Sequence, residues 1–300
     1  MSKRFPTNQP PLVVAITGGA RGIGAAIAQR AARAGHRVAI GDRDEQEAVR
    51  TADRIGGRGY RLDVTDEDSF AAFLAAADAD LGPVDVLVNN AGVMWVGPFD
   101  EEPPSATEAM IAVNLVGVIR GVRLTAPAMR TRGSGHIVTV ASAASKIAPP
   151  GESTYAATKH AVLGYLTGVR EELRGSGVAI SAILPGVVDT ELAAGTATGA
   201  AALLSPDDVA TAVLDVIARP RFLTTLPGYV GPLVAAAGLL PQGIRDRVLR
   251  RMVPDQVAAT KGSAARDRYE AASLPQSSGS KGSEGNMPAD PRNSDDFGKE

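Results

Sequence analysis

The sequence predicts an α/β chain, a single domain built on a doubly wound parallel sheet. Short, strongly apolar runs of strand length alternate with amphipathic stretches of helix length from Leu12 to Leu184. Runs that are apolar on both faces imply parallel strands covered by helices on each side. A glycine-rich loop joins the first run to the first helical stretch, as a doubly wound sheet requires of its opening turn. Aromatics make up only 4% of the chain while glycine reaches 33 residues, which suits helices packed closely on a sheet better than a β-sandwich.

The elements follow in order. Leu12–Thr17 reads as a buried strand, and Gly22–Ala34 as an alanine-rich helix stopped by Gly35. Arg37–Gly41 is a second strand and Glu45–Ile55 a second helix; Arg58–Leu62 is a short third strand before a helix from about Asp66 to Ala79. Val84–Asn89 is the fourth strand, followed by a long helix over about Ser105–Arg130. Gly135–Ala141 is the fifth strand, Ser153–Arg174 another long helix, and Val178–Leu184 the sixth strand. Right-handed crossovers then wind the sheet in both directions. Beyond Pro185 the rhythm loosens. Asp189–Leu204 suggests helical pieces, Ser205 caps a helix from Pro206 to Arg219, Phe222–Leu226 is a last strand, and Gln242–Met252 a basic helix. Residues 1–11 read as a polar, disordered extension, 12–271 as the domain with a substrate segment at 189–253, and 272–300 as a disordered tail. In that tail 13 of 29 residues are Gly, Pro or Ser, too few of the rest being apolar to offset the ordering entropy.

Composition narrows the chemistry. Hydrophobic residues at 44% of 300 build a substantial core, and 31 basic residues nearly balance 33 acidic ones. That balance gives no general electrostatic reason to bind nucleic acid. The absence of cysteine excludes thiolate metal sites, iron–sulfur clusters and cysteine nucleophiles, and three scattered histidines argue against a metal centre. The longest uncharged stretch, Phe222–Ile244, has the length of a membrane span, but three prolines and moderate hydropathy argue against one.

Thr17-Gly18-Gly19-Ala20-Arg21-Gly22-Ile23-Gly24 is the loop that carries the first chemistry. Gly18 permits a sharp turn, Gly22 lets the backbone approach a pyrophosphate, and Gly24 lets the helix lie close to the strand. The helix start offers free N–H groups and the positive end of a dipole. Asp42, 18 residues after Gly24 at the end of the second strand, can accept hydrogen bonds from both adenosine ribose hydroxyls and repel a 2′-phosphate. NAD is therefore favoured over NADP, although Arg21 and Arg43 are cations that a 2′-phosphate would meet.

Tyr155 and Lys159, four residues apart, share a helix face. A tyrosine is a poor base at neutral pH unless a fixed ammonium stabilises its phenolate. Ser142 ends the fifth strand, 13 residues before Tyr155, at the strand end where such sheets bind ligands.

These residues together resemble the short-chain dehydrogenase/reductase family over about Leu12–Leu192. The matches are Thr17-Gly18-x-x-x-Gly22-x-Gly24, Asn89-Asn90-Ala91-Gly92, Asn114, Ser142, Tyr155-x-x-x-Lys159 and Pro185-Gly186-x-Val188-x-Thr190. The resemblance implies a single Rossmann-fold domain and a hydride exchanged with a nicotinamide dinucleotide. It assigns Tyr155 as general acid/base, Lys159 to the nicotinamide ribose and the tyrosine pKa, and Ser142 to the substrate oxygen. Asn114 would hold a water joining Lys159 to solvent, Asp63 and Val64 would flank the adenine, and Asn90, Ala91 and Gly92 would line the cofactor. Thr190 would bind the carboxamide and Ile23 would pack near the nicotinamide. A homo-oligomer, dimer or tetramer, and a cytoplasmic location are expected with it.

The last third departs from the family's common ending, a strand leading into Asp-Gly-Gly. Phe222–Leu240 carries nine large apolar residues and no charge, as in members acting on retinoids, steroids or other lipidic alcohols. A hydrophobic alcohol or carbonyl substrate is expected, and Arg245, Arg247, Arg250 and Arg251 leave peripheral membrane contact open. The alternative is a non-catalytic dinucleotide-binding regulator or scaffold of the same fold. A hydrolase lacks its Gly-x-Ser-x-Gly elbow here.

Overall fold

The computed structural model describes residues 10–199 and 201–275. Seven parallel strands form one sheet in the order β3-β2-β1-β4-β5-β6-β7 among the described residues. They are β1 (Val13–Thr17), β2 (Arg37–Asp42), β3 (Arg58–Arg61), β4 (Val86–Asn89), β5 (Gly135–Val140), β6 (Val178–Pro185) and β7 (Leu223–Leu226). The order reverses between β1 and β4, whose registers set Val14 beside Val86 and Ile16 beside Val88. That reversal opens a crevice at the carboxyl ends of these strands, the place where doubly wound sheets take ligands.

Strand alternation divides the core into two layers. Val13, Ala15 and Leu87 point to the face covered by α3 (Glu67–Leu81), α5 (Gly117–Arg132) and α6 (Ser153–Glu172), through Phe70, Phe73, Val122, Met129 and Leu166. Val14, Ile16, Val38 and Val86 point to the face covered by α1 (Gly22–Arg33), α2 (Glu45–Asp53) and α7 (Pro206–Ala218). Local chemistry sets the ends. Asp44 caps α2 by accepting from Glu47 N, and Ser205 and Asp208 form a reciprocal box at the start of α7.

The long helix expected over Ser105–Arg130 is interrupted. After α4 (Pro104–Met110) a π-helical turn, Ile111–Val116, carries the chain into α5. The continuous segment Pro104–Arg132 is long and apolar enough to cross a membrane, but Val118, Val122 and Met129 bury it in the core.

Three expectations change in the carboxyl-terminal third. Among the described residues of Asp189–Leu204 there is one 3₁₀ turn, Glu191–Ala193, and a bridge from Val188 to Leu204, rather than helical pieces. The backbone here is held instead by the side chains of Gln256 and Arg266, which bond Ala197 and Leu192 O. Beyond α8 (Val230–Gly238) and α9 (Gln242–Met252), two further helices appear, α10 (Gln256–Thr260) and α11 (Ala264–Ser273). The helix α11 crosses the expected tail boundary at 272. Leu274 is buried and Pro275 O accepts from Ser105 Oγ, so 272–275 belong to the fold, while 276–300 lie outside the described residues, as do 1–9 of the expected extension.

Candidate active site

The glycine loop bends between β1 and α1. Gly18 and Gly22 adopt positive φ of 63° and 56°. A Cβ on Gly24 would lie 2.2 Å from Gly18 O and 2.7 Å from Asn90 Nδ2, so only glycine closes this turn. Asn90 Nδ2 in turn donates to Thr17 O and Gly18 O, and Thr17 Oγ1 accepts from the N–H groups of Asn90 and Ala91. A Cβ on Gly18 would press on Ala91 at 2.8 Å. The loop and the turn after β4 thus brace each other. Helix α1 has no side-chain cap and no acidic residue in its first turn, which leaves its N–H groups free for a pyrophosphate. These features fit a dinucleotide.

Asp42, at the end of β2, accepts from Ala20 N at 3.0 Å and Asp44 N at 3.1 Å. Arg21 is paired with Asp44 at 2.7 Å and approaches Glu191 at 3.6 Å, while Arg43 is exposed. Asp63 follows β3 and accepts from Thr65 N and Oγ1; despite burial, which acts upward, these bonds hold its carboxyl below the usual range. Val64 is buried under Gly117, where a Cβ would come within 3.0 Å.

Strand β5 delivers Ser142, whose Oγ accepts from Ala144 N. Tyr155 and Lys159 lie on α6, both buried, with Lys159 Nζ 5.5 Å from the Tyr155 ring centre. Asn114 comes from the π turn. Its Oδ1 accepts from Val93 N at 2.9 Å, and its Nδ2 donates to Val93 O at 2.8 Å and approaches Thr158 Oγ1 at 3.4 Å. It pins the segment after β4 to α6. Gly92 lies between Asn114 and Lys159: a Cβ there would be 3.3 Å from Asn114 Oδ1 and 3.8 Å from Lys159 Nζ. Pro185 and Gly186 end β6, with Gly186 N donating to Leu226 O; Thr190 follows Val188 and lies 3.6 Å from a Cβ on Gly22.

The electrostatics differ in one respect from what the Tyr-x-x-x-Lys spacing suggests. Burial drives the Tyr155 phenol well above its ordinary pKa, Glu152 adds to the rise, and a hydrogen bond with Ser142 opposes it. Burial also pulls Lys159 down to about 8. Alone, the site therefore holds a neutral phenol at neutral pH, suited to giving a proton to a developing alkoxide.

A cavity of about 230 Å³ opens onto Ser142, Tyr155 and Lys159, with Ile23, Asn90, Gly92 and Thr190 also on its wall. The rest of its lining is mostly apolar: Met94, Leu192, Tyr229, Leu233, Val234 and Met252 contribute. Leu239, expected on this wall, is instead 89% exposed at the surface. Spacing alone missed the residues that brace the cavity wall. Gln256 is buried and exchanges two hydrogen bonds with Ala197. Arg266, 2% exposed, pairs with Glu270 and donates to Leu192 O and Met94 O. Glu152 was also missed, although its place three residues before Tyr155 puts it on the same helix face.

A family model for short chain dehydrogenases matches residues 12–200. An uncharacterised oxidoreductase of Staphylococcus saprophyticus is 34% identical over 227 residues, covering 74% of this chain and 97% of its own. A short-chain dehydrogenase/reductase from Burkholderia phymatum, solved with NAD, is 30% identical with a TM-score of 0.69, covering 82% of this chain and 97% of its own. A metagenomic short-chain oxidoreductase, solved with NADP, is 33% identical with a TM-score of 0.61, over 71% of this chain and 94% of its own.

Proposed function

This chain belongs to the short-chain dehydrogenase/reductase family and is an NAD(P)-dependent oxidoreductase; we propose that it interconverts a hydrophobic alcohol and its ketone or aldehyde, with Tyr155 as general acid/base and NAD as the favoured dinucleotide. The observation that carries the reading is the cavity itself: mostly apolar, with Ser142, Tyr155 and Lys159 together on its wall. When bound, the dinucleotide supplies or takes up the hydride. Its pyrophosphate would rest on the Gly18–Gly24 turn and the start of α1, its adenosine ribose on Asp42, its adenine beside Asp63 and Val64, and its nicotinamide end near Ile23 and Thr190.

In reduction, Tyr155 gives its phenolic proton to the substrate oxygen while Ser142 Oγ donates a hydrogen bond that orients it. That leaves a phenolate, which Lys159, protonated below about pH 8, stabilises; in oxidation the same phenolate takes the hydroxyl proton and returns to the phenol. Asn114 acts on this pair by fixing Val93 and contacting Thr158, and a water on its carboxamide would connect Lys159 to solvent. The carboxylate of Asp42 at the end of β2 and the pairing of Arg21 with Asp44 support NAD over NADP. A soluble, cytoplasmic homo-oligomer fits the family.

The test is kcat/KM for secondary alcohols of rising chain length, with NAD and with NADP. Each buried methylene contributes about 0.8 kcal/mol, so efficiency should climb about fourfold per carbon until the cavity is filled. A preference for sugars or short hydroxy acids would refute the substrate class, and a preference for NADP the cofactor.

A further inference from the structure

Glu152 precedes α6 at its N-cap position, yet its side chain makes no capping hydrogen bond. Only its backbone is paired, N–H to Pro149 O and carbonyl from Ala156 N. The residue is 8% exposed and lines the same cavity as Ser142 and Tyr155. Among the described residues of that wall it is the one carboxyl group, as Lys159 is the one cation. Burial pushes its acid up to about 7, and the Arg266 guanidinium only partly opposes this. Arg266 is itself spent on Glu270, Leu192 O and Met94 O. A buried carboxyl with no hydrogen-bond partner from the protein is costly unless something else supplies one.

We propose that Glu152 is a specificity-determining residue: it accepts a hydrogen bond from a second polar group of the substrate, a hydroxyl or an ammonium a few bonds from the reacting carbon, and it turns away substrates with a carboxylate there. The inference rests on the cavity being the substrate site. Tyr155 and Glu152 are one helical turn apart, so a substrate oxygen at the phenol leaves the adjoining carbons within reach of the carboxyl. A carboxylate in that position would place two acids together in a cavity of low dielectric, which is unfavourable for either ionised form. A hydroxyl or ammonium donates to the carboxyl instead, and more strongly once it is ionised.

Four compounds that differ only at C1 make the test: 3-octanol, 1,3-octanediol, 1-amino-3-octanol and 3-hydroxyoctanoate. For the wild-type protein with its dinucleotide, kcat/KM for the diol and the amino alcohol should exceed that for 3-octanol by about tenfold, and that for the hydroxy acid should fall about tenfold below it. In Glu152→Gln the amino-alcohol preference and the exclusion of the acid should both shrink, read as ratios within one enzyme. Binding without turnover is followed through the fluorescence of Trp95, the single tryptophan, which packs in the cluster that includes Tyr155. The diol should bind more tightly than 3-octanol. Absence of turnover with all four compounds would sink the oxidoreductase reading of the cavity. Turnover of 3-octanol with wild-type ratios near one, or with ratios unchanged in Glu152→Gln, would overturn the role of Glu152 alone. If Glu152→Gln does not fold, the wild-type ratios decide.

Discussion

Replacing Asp42 with alanine separates two roles that meet in one carboxylate. Its oxygens accept from Ala20 N, a part-buried bond, and from Asp44 N, an exposed one. They tie the phosphate loop to the end of β2. A carboxylate offers about four acceptor sites, so two remain for ribose hydroxyls. Losing the two backbone bonds should cost about 2 kcal/mol, the part-buried one contributing most, since hydrogen bonds to a charged acceptor are worth about 1.5–3 kcal/mol when sheltered. At about 2–4 °C per kcal/mol, Tm should fall by about 4–8 °C. Cofactor choice should move further. The missing ribose bonds weaken NAD by about tenfold, and removing the negative charge helps a 2′-phosphate by a similar factor. The NAD-to-NADP ratio of kcat/KM should therefore drop about a hundredfold. Steady-state kinetics with both dinucleotides and a melting curve read the two effects apart, and Asp42→Asn, which keeps an acceptor for Ala20, should restore most of the Tm but not the ratio. A lowered Tm with an unchanged ratio would make Asp42 a loop tether and nothing more.

Other consequences are as direct. His136 is buried with Nε2 2.8 Å from Ser181 Oγ, and burial pulls its pKa down to about 4. The unfolded chain takes up that proton below about 6.5 and the folded one only near 4, so this stability is whole above pH 6.5 and lost as pH falls through the window, about 3 kcal/mol in all. His136→Phe should remove that slope from a urea titration series whatever its own baseline; a slope that persists would contradict the assignment. Arg266→Ala strands Glu270 and two carbonyls and should cost about 3 kcal/mol or more, read as a lower urea midpoint. A midpoint within error of the wild type would mean that α11 does not hold the cavity wall. Leu233→Asp should flatten the rise of kcat/KM with chain length, whereas Leu239→Asp, on the exposed surface, should leave it intact.

Much of this fold and site is legible in the sequence. Strands β1, β2, β4, β5 and β6 follow from apolar runs, because central parallel strands buried on both faces leave no polar alternation to confuse the reading. The glycine turn, Ser142, Tyr155 and Lys159 were visible because each demands a residue type at a fixed spacing. What stayed hidden depends on contacts distant in sequence. Nothing local to Arg266 says that it will donate to Met94 O, 172 residues away, or that Gln256 will clamp Ala197. The π turn at Ile111–Val116 was equally silent, since it holds no Gly or Pro to mark a break and one extra residue in a turn leaves little trace in periodicity. Spacing also places Lys159 beside Tyr155 without revealing that both are buried, which moves the phenol up and the ammonium down.

The central claim is that Tyr155 moves the proton. Phenylalanine keeps the ring and its packing but has no proton to transfer, so Tyr155→Phe isolates the chemistry. Turnover of the best alcohol should fall by about 10²–10⁴-fold, the usual contribution of a general acid/base. The dissociation constant of the dinucleotide, measured by titration calorimetry, should stay within about twofold of the wild type. Turnover at the wild-type rate in that variant, with dinucleotide binding intact, would contradict the account.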